Sequence, residues 1–180
     1  MAAFLFPYYP CKYERLSKTH LVVPLIIKES IKLSNHDSEH TETIFRAVEK
    51  VMPLANKKLD KTDPKTRVEL GLIIRTIGPL WHLAILFTAA VEMTLGKPTA
   101  DAFSEYTHLI DTVTQLGLDN AYSLKHVLDG KAVSVLLKLK PGPQIKETLD
   151  VVMEWQLEHP TGTAEECKKH ILALKSNSDS

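Results

Sequence analysis

The residues best placed to do chemistry in this sequence are lysines. Lys125, Lys131, Lys138, Lys140 and Lys146 crowd one short stretch in which Asp129 is the only acidic residue. At its centre lies Leu137-Lys138-Leu139-Lys140-Pro141-Gly142-Pro143-Gln144-Ile145. Pro141 and Pro143 lack the backbone N–H that a helix interior needs, and Gly142 between them suits a tight turn. Pro143 also fits the first position of a new helix, where a donor would be orphaned anyway. That helix would run through Leu157. Its first turn would present free N–H groups, a seat for a phosphate or another anion. The spacing predicts two helices joined by a sharp corner with a basic mouth. A plain corner in an α-helical domain, with a solvated basic face, fits the same residues.

Other groups invite a chemical reading. A His-Asp pair such as His36-Asp37, with His40 nearby, marks a large class of metal phosphohydrolases. Such a site needs further His and Asp ligands from separate helices, and nothing else in the sequence has matching spacing. A helix cap with a solvated imidazole is the expected role, and no metal is expected. Arg67 and Arg75, eight apart, fall near one helix face. They suit a phosphate or, the favoured reading, a structural role paired with nearby carboxylates. His82, set in apolar sequence, reads as a hydrogen-bonded core residue. Cys11 and Cys167 have no metal-ligand spacing, and a pair of ordinary thiols in a reducing compartment is expected. There is no P-loop, no Gly-x-Gly-x-x-Gly, no Gly-x-Ser-x-Gly, no Gly-Ser or Gly-Gly dipeptide and no Asp-x-Asp. No catalytic residue is therefore assigned.

The elements that must position these residues read as helices. Leu21, Val22, Leu25, Ile26, Ile31 and Leu33 fit helical spacing, with Pro24 near the start. Asn35-His36-Asp37-Ser38 supplies cap candidates for a run to about Leu59, which carries Ile44, Phe45, Val48, Val51, Met52 and Leu54 on one side. Pro53 is expected to kink or divide it. Lys57 to Arg67 reads as a loop. Val68, Leu70, Leu72, Ile73, Ile74 and Ile77 form the deepest-core candidate, Gly78-Pro79 breaks it, and Leu80 to Leu95 resumes as an apolar helix ended by Gly96-Lys97-Pro98. A helix from Thr99 or Asp101 places Phe103, Tyr106, Ile110, Val113 and Leu116 at helical intervals up to Gly117. Thr163 and Glu166 form a capping box for a last helix to about Leu174, followed by a frayed tail from Lys175 to Ser180. No strand alternation and no repeat is seen. The expected fold is all-α, an irregular bundle of seven to nine helices without a sheet, with a helical body over 1–118 and a tail over 119–180.

Composition sets outer limits. The chain has 180 residues, 44% hydrophobic and 24% charged, enough for a sizeable core in one or two domains. Formal net charge is zero, so any attraction for a polyanion must be local. After the lysine cluster, Glu147, Asp150, Glu154, Glu158, Glu165 and Glu166 run without one Lys or Arg. The opening Met1-Ala-Ala-Phe-Leu-Phe-Pro-Tyr-Tyr-Pro is apolar but lacks the basic start and long apolar stretch of a signal peptide, and is too short to span a bilayer. It reads as a helix tail continuing from a longer chain, or as a start tucked into its own core. No membrane partner is expected.

Leu128-Asp129-Gly130, Val135-Leu136, Leu139-Lys140-Pro141-Gly142-Pro143, Val151 to Gln156 and Thr163-Ala164-Glu165-Glu166 together closely resemble the C-terminal region of eukaryotic-type CCA-adding tRNA nucleotidyltransferases. In that family a Leu-x-Gly element precedes a Lys-Pro-Gly-Pro turn, a helix ending near Trp-Gln or Ala-Gln, and a Thr-x-Glu-Glu helix start. The chain departs from the pattern at Lys146, where many members carry a small residue. The Arg67–Leu95 pair resembles the family's body, where an Arg-rich helix leads through Gly to a Trp-bearing helix. The family's Glu-Asp-x-x-Arg element is absent, as are the paired carboxylates that would hold two metal ions. The resemblance implies a tRNA-binding body and tail, holding the tRNA elbow while a catalytic head, in cis or in trans, adds CMP and AMP. Mg and CTP or ATP would belong to that head. Lys138, Lys140, Gly142, Gln144 and Lys146 are then the candidate nucleic-acid contacts, with Lys131 flanking them. Two other roles stay open: a helical protein-interaction module using Phe4, Phe6 and Tyr8, and a DNA-backbone-binding module. The resemblance implies an intracellular place wherever tRNA matures: cytoplasm, nucleus or mitochondrion.

Overall fold

Apolar side chains at helical spacing dominate the sequence, and the structure, a computed structural model describing residues 2–15 and 17–178, is helical almost throughout. Met1, Asp179 and Ser180 lie outside the described residues, and with them the reading of the opening residue and of the tail's last two. The described residues form two units. One comprises the chain up to Leu59 together with Ile73–Tyr122, the other Asp60–Leu72 together with the chain from Ser123 onward.

The first unit begins with α1 (Ala2–Leu5), a 3-10 turn (Phe6–Tyr8), β1 (Lys12–Arg15), β2 (Lys18–Leu21), α2 (Val22–Leu25) and a π turn (Ile26–Ser30). It continues with α3 (Asn35–Ala55), the C-terminal part of α4 (Pro64–Ile77), a 3-10 turn (Gly78–Leu80), α5 (Trp81–Thr94) and α6 (Thr99–Gln115). Ser34 caps α3. Its hydroxyl accepts from the Asp37 N–H at 3.2 Å, and the Asp37 carboxylate accepts from the Ser34 N–H at 3.0 Å. This reciprocal box, through the Ser34 hydroxyl first and its N–H second, holds the Asp37 carboxyl below its usual range. The cap is thus Ser34, one residue before the expected candidates at 35–38, with Asp37 as its partner inside the first turn, and the rings of His36 and His40 lie 3.8 Å apart. Leu5, Ile27, Phe45, Val48 and Phe87 are central to the core. Phe6 meets Phe45 and Phe87 edge-on, at 5.2 and 5.4 Å between ring centroids. The apolar opening segment therefore packs Leu5 and Phe6 into this unit, while Phe4 and Tyr8 stay exposed.

Several expectations change here. The absence of a sheet is corrected by β1 and β2, which pair antiparallel from Lys12↔Leu21 to Arg15↔Lys18. Four-residue strands with almost no buried side chain leave no apolar alternation to read. Pro53 does not divide α3, which continues to Ala55; one missing donor within the last turn is tolerated. His82 is not a core residue. It is exposed, and its ring stacks on Trp81 at 3.5 Å. Trp81 points inward and donates from Nε1 to the Asp119 carbonyl at 3.1 Å; the next residue on a helix must turn away. Phe103 is 73% exposed, because α6 buries Ala102, Tyr106, Leu109 and Val113 instead. Two apolar faces share that spacing, and periodicity alone does not choose between them. The run Pro64–Thr94 is long and apolar enough to cross a bilayer by composition. Ile74, Ile77, Trp81, Ala84 and Ile85 are nonetheless buried in protein, as in a core helix.

The second unit joins the N-terminal part of α4 to α7 (Gly130–Leu137), α8 (Pro143–Glu158) and α9 (Ala164–Ser178). Helix α4 opens at Pro64, inside the stretch expected to be loop, and Asp63 Oδ1 accepts from the Lys65 N–H at 2.9 Å. Arg67 Nε donates to the Leu157 carbonyl at 2.7 Å, and in the first unit Arg75 Nη1 donates to that of Ala121 at 2.9 Å. Both arginines therefore have a structural role, as favoured from the sequence, but their partners include backbone carbonyls and not only the expected carboxylates. Leu128, Val133, Leu137, Val152, Trp155, Cys167 and Ile171 make the core. Cys167 is buried, Cys11 is exposed, and both are free thiols.

Candidate nucleic-acid interface

The basic corner is built by two caps and a helix reversal. Asp129 starts α7 by accepting from the Ala132 N–H at 2.8 Å. The single acidic residue of the lysine cluster is thereby occupied in a cap. At the other end Lys138 takes a left-handed conformation, φ 54°, and the Leu139 N–H returns to the Ser134 carbonyl at 3.0 Å. That six-to-one closure is usually made with glycine at the Lys138 position. Ser134 adds a second tie, its hydroxyl donating to the Leu139 carbonyl at 2.7 Å.

The connector then leads through Lys140, Pro141 and Gly142 to Pro143, the first residue of α8, as the sequence predicts. Gly142 has φ 171°, ψ −175°. This is extended backbone that any residue adopts, so the turn does not depend on glycine there, contrary to expectation. Among the first-turn N–H groups of α8, Pro143 has none and that of Ile145 is used by the Gly142 carbonyl at 3.1 Å. The expected anion seat narrows to the N–H of Gln144.

Lys131, Lys138, Lys140, Gly142, Gln144 and Lys146 are all exposed. Lys131 lies in the first turn of α7, about 10 Å along the helix from Lys138 at 1.5 Å per residue. The other five follow one another through the connector into α8. None of the four lysines forms an ion pair among the described residues, so their charges remain available to an anion.

Three positioning residues were not legible in the sequence. Gln156 on α8 accepts from the Val127 N–H at 2.9 Å and donates to the Lys125 carbonyl at 3.0 Å, holding the loop that enters α7. Lys175 on α9 donates to the Leu137 carbonyl at 2.9 Å, where the helix end favours a cation. That contact corrects the expectation of a tail frayed from Lys175, since α9 continues to Ser178. Ser134 is the third, and its only signal is a polar side chain within an apolar helix. The capping box of α9 is as expected: the Glu166 carboxylate accepts from the Thr163 N–H and hydroxyl, both at 2.8 Å.

Chemically, this surface offers fixed positive charge and no assembled set of reacting groups. Among curated proteins, a Schizosaccharomyces pombe tRNA nucleotidyltransferase is 34% identical over 126 residues, covering 68% of this chain and 26% of its own length. A second S. pombe tRNA nucleotidyltransferase is 25% identical over 172 residues, 92% of this chain and 34% of its own. The chain is homologous to a region of the CCA-adding tRNA nucleotidyltransferases. A mitochondrial CCA tRNA nucleotidyltransferase of Saccharomyces cerevisiae is 28% identical over 158 residues, 85% of this chain and 29% of its own. The chain thus spans about a quarter to a third of the nucleotidyltransferases it matches. No family model and no solved structure matches it.

Proposed function

We propose that this chain is the tRNA-gripping body and tail of a CCA-adding nucleotidyltransferase. It holds the outer corner of tRNA while a catalytic head, in cis or in trans, extends the 3′ end with CMP and AMP. Mg and CTP or ATP would be bound by that head. The observation that carries the reading is the set of four exposed, unpaired lysines around the α7–α8 connector, in a chain homologous to tRNA nucleotidyltransferases. Lysines and an outward N–H can grip the backbone of A-form RNA with few base contacts.

The test is binding of the intact chain to full tRNA and to an acceptor-stem minihelix without the elbow, over a range of salt. Full tRNA is expected to bind more tightly. The variant carrying Lys140→Glu and Lys146→Glu is expected to lose about tenfold or more in affinity and to flatten the log–log salt dependence by about two, one for each lost phosphate contact. Equal affinity for both RNAs, or an unchanged salt slope, would remove the proposal. A second reading, a protein-docking module, rests on exposed Phe4, Leu83 and Leu86 in the first unit, and would be favoured by a chain that ignores tRNA.

Lys138 permits a sharper check, since its backbone and its charge pull in opposite directions. A lysine at φ 54° carries strain of about 1–2 kcal/mol that glycine lacks. Lys138→Gly should therefore raise stability slightly, by about 0.5–1 kcal/mol after the extra freedom of unfolded glycine is subtracted. It should also weaken tRNA binding. Denaturant titration and anisotropy on the same samples would read both signs.

A further inference from the structure

The β1–β2 hairpin plays no part in the interface above and contributes almost nothing to a core. Cross-strand pairs alternate between its faces. Tyr13–His20 and Arg15–Lys18 therefore share one face, and Lys12–Leu21 and Glu14–Thr19 the other. On the first face the Tyr13 and His20 rings lie 5.4 Å apart at an interplanar angle of 30°. Beside them Arg15 and Lys18 stand directly opposite one another, an arrangement that costs a sheet stability. Neither has an ion pair among the described residues, and Ser17 in the turn is held at φ 60°. Folding alone does not favour this combination of strain, like charges and an exposed His20 ring. The face borders a polar cleft of about 420 Å³ whose lining includes Tyr13, Arg15, His20, Lys28 and Glu29. Glu29 is engaged by Lys32 at 3.7 Å.

We propose that this face binds an unpaired stretch of RNA, with phosphates on Arg15, Lys18 and Lys28 and a base stacked on the exposed His20 ring of the Tyr13–His20 pair. Cations alternating with rings match the alternation of phosphate and base along a single strand. A duplex presents its phosphates but not the faces of its bases. The inference rests on the reading that this chain's ligand is RNA, but its site lies in the first unit and shares no residue with the α7–α8 corner.

The experiment is anisotropy titration of the intact chain with a short labelled oligouridine and with a blunt RNA duplex of equal length. Arg15→Glu is the main variant, because a glutamate opposite Lys18 favours the hairpin while removing positive charge from the face. It should lower oligouridine affinity about tenfold without lowering the melting temperature. His20→Ala should lower it about fivefold or more, the usual consequence of losing one stacked base, and leave duplex binding unchanged. The variant carrying Lys140→Glu and Lys146→Glu should bind oligouridine as the parent does while losing tRNA affinity. The proposal is overturned if oligouridine does not bind, if Arg15→Glu and His20→Ala leave its affinity unchanged, or if only the double lysine variant lowers it. A double lysine variant with full tRNA affinity, alongside a weakened Arg15→Glu, would instead remove the α7–α8 corner and leave the hairpin site standing.

Discussion

Replacing Lys97 by methionine is expected to destabilise the first unit by about 3–5 kcal/mol, the usual consequence of stripping one partner from a buried charge pair. Glu92 is 9% exposed on an otherwise apolar α5. Its carboxylate accepts from Lys97 Nζ at 2.6 Å and from Asn56 Nδ2 at 3.0 Å. Lys97 also donates to Asn56 Oδ1 at 2.8 Å and to Glu105. One ammonium group thereby ties the end of α3, the end of α5 and the start of α6. Methionine preserves much of the volume but leaves Glu92 charged with one side-chain donor. Adding Glu92→Gln to Lys97→Met should recover much of the loss, because the stranded charge is then gone. Urea titration of the parent and both variants reads the result, and a Lys97→Met chain within 1 kcal/mol of the parent, roughly the net worth of one hydrogen bond, would sink the assignment.

The same cluster sets a pH dependence. Burial pushes the Glu92 pKa up, but hydrogen bonds from Lys97 and Asn56, with the charge of Lys97, outweigh it and hold the group below its ordinary 4.5. Burial likewise lowers Lys97, but Glu105 and Glu92 outweigh it and raise the group above 10.5. A depressed carboxyl contributes stability that is fully present above its unfolded pKa and lost as pH falls through the folded value. A raised ammonium group contributes stability present below its unfolded pKa and lost as pH rises through the folded one. The stability gap between parent and Lys97→Met should therefore be widest between about pH 4.5 and 10.5 and close on either side. Thermal unfolding across that range measures it.

What could be read from the sequence was what is enforced locally. Pro141 and Pro143 dictate a corner whatever surrounds them, and Thr163 with Glu166 closes a box over three residues, so both emerge in place. The exposed lysines of the corner follow from the same local reading. The Asn56–Glu92–Lys97 cluster and the Gln156 clamp join residues far apart in the chain, and such contacts have no periodic signature. Nor does periodicity choose between two apolar faces of one helix, which is why Phe103 is exposed while Leu109 is buried. The hairpin leaves no trace in the sequence for a different reason. With neither face buried, nothing imposes the apolar alternation that announces a strand, and the residues left on its surface are free to serve a ligand.

Trp155→Ala is expected to cost the second unit about 3–5 kcal/mol, the range for truncating a buried aromatic. Trp155 is 6% exposed among Leu128, Val133, Val152 and Ile171, and His159 stacks on its ring at 4.8 Å. The loop after α8 returns so closely over this ring that a Cβ at Gly162 would lie 2.4 Å from Trp155 Cη2 and 3.0 Å from Cζ3. The Gly162 N–H donates to the His159 carbonyl at 2.9 Å, and the His159 N–H donates to the Trp155 carbonyl at 2.9 Å, which ties the loop back to α8. Gly162→Ala should therefore cost about 1–3 kcal/mol by overpacking. Trp155→Phe removes Cη2 and Cζ3, and in that background Gly162→Ala should cost far less. The two substitutions should thus fail to add by about 1 kcal/mol or more, and strict additivity would show that the collision is not what makes glycine necessary. Neither side chain belongs to the proposed contact patch. Yet α8 carries Lys146 at one end and, beside Trp155, the Gln156 clamp on the Lys125–Val127 loop. Loosening this core should lower tRNA affinity in Trp155→Ala while Trp155→Phe retains it, because the lysines can act together only where α7 and α8 are held in register.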